Sequence, residues 1–62
     1  MTFEEILPKM KQGNHCYIPS LTTNYFYFVG NQLFVNDGLN DLPIYGLKTE
    51  YILSNDWILK NE

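Results

Sequence analysis

The residues able to do chemistry in this chain are few, and their spacing argues against catalysis. His15 and Cys16 are adjacent in sequence. On an extended strand, neighbouring side chains point to opposite faces, so the pair is not placed as the hydrogen-bonded dyad a thiol nucleophile needs. Cys16 reads as a small buried hydrophobe and His15 as a surface or edge residue. Paired carboxylates for acid–base work would have to come from Asp37, Asp41 or Asp56. All three lie in turn sequences, where Asp is favoured because its carboxylate bonds nearby backbone N–H groups. No phosphate-cradling glycine loop, dinucleotide motif or metal-ligand spacing occurs. The expectation is a protein that is not an enzyme and uses neither cofactor nor metal.

Charge narrows the partners. The chain carries four lysines, no arginine and seven carboxylates, for a net charge of −3. Binding a nucleic-acid backbone requires clustered cations to neutralise phosphates, so DNA and RNA are not expected partners. Lys9 and Lys48 are the candidate anion contacts by composition alone. Aromatic residues make up 16% of the chain, which excludes disorder and supplies more apolar surface than a 62-residue core can hide. Self-association into a homo-oligomer follows as an expectation. The single cysteine forms no internal disulfide, the first dozen residues lack the apolar core of a signal peptide, and no apolar run is long enough to span a membrane. Those features suggest a soluble protein of a reducing, cytoplasmic compartment.

The elements that must position these residues read as one α+β domain over 1–62. Phe3, Ile6, Leu7 and Met10 make one apolar stripe of a helix. Thr2 and Glu5 form a capping box, and Gly13 is suited to end the helix. Pro8 predicts a kink or a tightened first turn. A short strand is expected over 15–18, ended by Pro19. Residues 25–29 and 32–36 form a hairpin around Gly30 and Asn31, which aligns Val29 with Gln32 and Tyr25 with Asn36. One face then carries Phe26, Phe28, Leu33 and Val35 for the helix. The other carries Tyr25, Tyr27, Val29 and Phe34, with no element left to cover it. Residues 37–46 read as a packed loop, 50–53 as a helical turn after Thr49, and 57–60 as a closing strand. The architecture expected is an N-terminal helix on a small antiparallel sheet with a central hairpin, a short C-terminal helical turn and a closing strand.

Two segments carry a family resemblance. Met1 to Gly13, with Phe3, the Ile6-Leu7 pair, Met10-Lys11 and Gly13, resembles the opening of small phage proteins of the Thoeris anti-defence sponge type. Tyr51 to Ile58, with Asp56-Trp57, is similar to their close. Phe3, Gly13, Asp56 and Trp57 match as structural residues. The resemblance implies a phage-encoded oligomer that works in the host cytosol. It would sequester a cyclic nucleotide immune signal between subunits without cleaving it. In that reading Tyr25, Tyr27 and Phe34 stack on a base and Lys48 or Lys9 meets phosphate. The alternative is a small inhibitor or adaptor that docks the same aromatic face directly on a host protein.

Overall fold

The computed structural model describes residues 1–60. Helix α1 spans Phe3–Lys11. Its start is fixed by a reciprocal cap: the Glu5 N–H donates to Thr2 Oγ1 at 3.2 Å, and the Thr2 N–H donates to Glu5 Oε1 at 2.9 Å. A cap of this kind stabilises a helix by about 1 kcal/mol. The helix continues through Pro8 rather than beginning after it, with Glu4 and Glu5 in its first turn and Lys9 and Lys11 in its last. Those charges oppose the ends of the helix dipole. Gly13, at φ 98°, lets the chain leave the helix in a left-handed conformation.

The strands are β1 (Cys16–Tyr17), β2 (Tyr25–Val29), β3 (Gln32–Asn36), β4 (Asp41–Ile44) and β5 (Ile58–Leu59), with helix α2 (Thr49–Leu53) between the last two. They form one antiparallel sheet in the order β4-β3-β2-β1-β5. The central hairpin has the register set by its two-residue loop, from Tyr25 opposite Asn36 to Val29 opposite Gln32. Gly30 has φ 61° and Asn31 has no positive φ, so only the first loop position needs glycine, as in a type II′ turn. The described residues contain no helix long and apolar enough to cross a membrane.

Two segments depart from their expected form. Helix α2 includes Thr49 and follows Lys48, which makes no side-chain cap bond, whereas Thr49 is the cap expected from the sequence. The second is the stretch after β3. Residues 37–46 do not pack as a loop. A four-residue turn brings the chain back, and Asp41 to Ile44 pairs with β3. The turn is held by Asp37 Oδ1, which accepts from the N–H groups of Leu39 and Asn40 at 2.9 and 2.8 Å. Pro43 is an unfavourable residue for the interior of a sheet. It sits on the outermost strand, where a missing N–H costs no ladder bond and blunts an edge that could otherwise pair with another chain.

The core lies on one side of the sheet. Ile6, Met10, Cys16, Ile18, Phe26 and Trp57 are buried there, with Phe28, Leu33, Val35, Tyr51 and Leu59 packed around them. The Phe/Leu/Val face of the hairpin therefore meets the helical layer. Trp57 joins the layers: its ring lies 5.8 Å from Phe3 and 5.7 Å from Phe26, and its Nε1–H donates to the Tyr51 carbonyl at 2.9 Å. The Trp57 N–H donates to the Met1 carbonyl at 3.0 Å, and the Met1 amino group donates to the Trp57 carbonyl at 2.7 Å. Asp56 accepts from Ser20 Oγ at 2.5 Å and from Ser54 Oγ, which holds its carboxyl below the usual range and ties the turn after α2 to the loop after β1.

Candidate functional site

Strand pairing assembles the other side of the sheet from all five strands. Side chains alternate along a strand, so the residues out of phase with Cys16, Phe26 and Val35 share the open face. One row across it runs Ile58, Tyr17, Tyr25, Asn36, Asp41. The next contains Tyr27, Phe34 and Pro43, and the β1–β2 register extends it to His15. The rings touch. The His15 ring lies 4.3 Å from that of Tyr27, Tyr27 stacks at 17° on Phe34 at 5.8 Å, and Tyr17 meets Tyr25 edge-on at 5.3 Å. Each of these five side chains is half-buried by its neighbours.

Charge enters at the two margins. The Lys60 N–H donates to the His15 carbonyl at 2.8 Å, which places Lys60 beside β1, and its Nζ lies 4.5 Å from the Tyr25 ring centroid. A cation over an aromatic face is attracted by the ring quadrupole, by about 0.5–1 kcal/mol where water has access. On the opposite margin the Asp41 carboxylate is hydrogen-bonded by Tyr27 and accepts from Asn36 Nδ2 at 2.8 Å. Those bonds hold the Asp41 carboxyl below its ordinary range, with His15 adding a smaller pull, and the same contact pushes the Tyr27 phenol up. The face is thus a band of rings with a cation at one edge and an anion at the other.

The structure brings Tyr25, Tyr27 and Phe34 together on this face. It does not bring either lysine singled out by composition. Lys48 is the residue preceding α2 and Lys9 lies on α1, both in the helical layer on the far side of the sheet. Lys60 is the lysine on the open face. His15, Tyr17 and Lys60 join the site only through the pairing of β1 with β2 and β5, contacts between residues far apart in sequence. The signal available for Tyr17 was its alternation with Cys16, but no local feature fixed which strand it would flank.

Two hollows lie on the helical side, both adjoining Phe28. One, of about 280 Å³, is lined by Leu33, Ile44 and Tyr45 among others; the second, of about 420 Å³, by Lys11, Gly30 and Asn31. Tyr45 is 90% exposed beside the first. Neither hollow contains Tyr25, Tyr27 or Phe34.

Among the described residues no group of three His, Cys, Asp or Glu side chains is placed to hold a metal ion. Cys16 is fully buried on the core side, its Sγ–H directed at the Asn14 carbonyl at 3.5 Å. Burial pushes its thiol up from an ordinary 9.0 to about 11, with Lys9 opposing weakly. Thiolate is the reactive form, so Cys16 is expected to resist iodoacetamide at pH 7.5 in the folded protein and to react at once in 6 M guanidinium. The sign of the linkage also follows. A thiol that ionises less readily when folded favours folding at neutral pH, and that contribution is lost as pH rises from about 9 to about 11. Urea midpoints measured from pH 7 to 11 should fall in that window, and a Cys16→Ala protein should lack this component of the fall.

No protein-family model matches the chain, and neither does a curated protein or a solved structure.

Proposed function

We propose that this is a non-enzymatic binding protein that works through the open aromatic face of its sheet. It captures a planar, anionic ligand of the cyclic nucleotide class where copies of the chain meet. The observation that carries the reading is the continuous stack His15–Tyr27–Phe34, with Tyr17 and Tyr25 beside it and Lys60 at its margin. Aromatic faces accept a nucleobase at about 1–3 kcal/mol per stacked base, and a nearby lysine and imidazole suit its phosphate. The resemblance of the two end segments to anti-defence sponges supports the same class of ligand and a role for a phage-encoded protein in the host cytosol.

A second reading has its own support. The face is built on five paired strands, and Asp41 opposes an anion at one side of it. An aromatic patch with mixed charge at its rim also fits direct docking on a host protein, as an inhibitor or adaptor.

Calorimetric titration with a panel of cyclic mono- and dinucleotides separates the two. The ligand reading expects saturable binding by at least one member, at least tenfold weaker binding by Tyr27→Ala, and recovery of the intact nucleotide after heat denaturation. No binding up to millimolar concentration across the panel removes the ligand reading and leaves the protein partner. Release of hydrolysed product in proportion to time and protein removes the non-enzymatic one.

A further inference from the structure

The margins of the open face carry a pattern that its rings alone do not. β2 is the middle strand of five, so Tyr25 and Tyr27 lie at the centre of the face, Lys60 toward the β5 edge and Asp41 on the β4 edge. Let a two-fold axis lie between two such faces and run along β2. It sets β2 on β2 and reverses the strand order of the second copy. The β5 margin of each copy then meets the β4 margin of the other, bringing Lys60 near Asp41 of the second copy, twice. His15 and Tyr17 fall opposite the strand that carries Phe34. An axis across the strands instead sets Lys60 near Lys60 and Asp41 near Asp41, and like charges that close oppose association. Of the two closed arrangements that keep the strands aligned as packed sheets require, the charges select the first.

We infer that a second copy of this chain covers the open face, packed as a sheet sandwich about a two-fold axis parallel to β2, with Lys60 and Asp41 paired across the interface. This rests on the reading that the open face is the protein's contact surface, and it names the partner and the register in the protein without ligand; a nucleotide bound where copies meet would part the two faces and stack between their rings. The area sets the strength. β2 and β3 are five residues long, β4 four, and β1 and β5 two each, so at about 4.8 by 3.4 Å per residue the face is roughly 300 Å² in projection. Two faces together give roughly 600 Å² before side-chain relief is added, the size of a weak, transient contact rather than of a permanent interface. The chain exposes 4154 Å² in all. The pairing is therefore weak and concentration-dependent.

Sedimentation equilibrium between about 5 and 200 µM, without nucleotide, tests it. The unmodified chain should be mainly dimeric at the upper end. Lys60→Glu and Asp41→Lys should each weaken the dimer at least tenfold, and the double exchange Lys60→Glu/Asp41→Lys should restore it to within about threefold. Circular dichroism on each variant verifies that the fold is intact; should Asp41→Lys disturb the fold, Asp41→Asn with Lys60→Gln replaces the exchange and should weaken pairing without additivity. A double exchange weaker than either single change, or stronger pairing by Lys60→Ala, overturns the arrangement. A monomer at 200 µM that still loses nucleotide binding on Tyr27→Ala overturns the pairing alone and leaves the face as the binding surface.

Discussion

Trp57→Ala should leave little folded protein at 25 °C. Trp57 is completely buried, and its ring contacts both layers, Phe3 on α1 and Phe26 on the central strand. Truncating a buried aromatic to alanine costs about 3–5 kcal/mol, from lost transfer energy and the cavity left behind. A domain of this length has on the order of 3–9 kcal/mol of total stability. The loss is thus comparable to the whole. Trp57→Phe separates the ring from its N–H. It keeps most of the packing, and the Tyr51 carbonyl that loses the indole donor still accepts from the Ser54 N–H at 3.3 Å. Its cost should stay near 1–2 kcal/mol. Urea unfolding followed by far-ultraviolet circular dichroism measures both. A Trp57→Ala unfolding free energy within about 1 kcal/mol of that of the unmodified chain would show that the two layers do not depend on this ring. Phe26→Ala should behave like Trp57→Ala, because Phe26, at 4% exposed, is the hairpin residue the helical layer seals. Phe28, placed on the same face by the register, is only half-buried, so its truncation should cost less.

What could be read from the sequence divides by range of interaction. The helix, its cap and the hairpin register are local: Thr2 and Glu5 are three residues apart, and the Gly30-Asn31 loop fixes five cross-strand pairs once it forms. Those features could be read because the chain that makes them is contiguous. β4 could not, because Asp-Leu-Pro-Ile combines a strand alternation, Leu42 and Ile44, with a proline that argues against one. The conflict resolves only when the strand is known to lie at an edge. The site was half legible for the same reason. Tyr25, Tyr27 and Phe34 come from one hairpin, so their common face follows from local register. His15, Tyr17 and Lys60 reach that face through β1 and β5, whose two-residue pairings carry no periodic signal. Lys48 and Lys9 stand out in the sequence by charge alone, which carries no position, and the fold puts both behind the sheet.

Replacing Tyr27 and Phe34 together by aspartate should abolish binding through the open face while the fold persists. The two rings stack on one another at the centre of that face, and neither belongs to the buried core. Their loss therefore leaves Ile6, Met10, Phe26 and Trp57 in place. Aspartate is a poor strand residue, and a central site magnifies that, but the measured span of strand propensities is only about 1 kcal/mol per position. The helix signal in circular dichroism should survive, with an unfolding free energy lowered by no more than about 2–3 kcal/mol. Binding should suffer far more. Each ring offers about 1–3 kcal/mol as a stacking surface, and two new carboxylates beside Asp41 repel an anionic ligand and the Asp41 margin of a second copy alike. A loss of at least about 100-fold, near 2.7 kcal/mol, is expected both in association of the chain and in capture of its ligand or partner. The neutral pair Tyr27→Ser and Phe34→Ser decides how much belongs to the rings: if it loses as much as the aspartate pair, stacking carries the interaction, and if it loses little, charge does. An aspartate double variant that keeps native mass and binding would move the working surface to the helical side, where Tyr45 and Lys11 flank the hollows around Phe28.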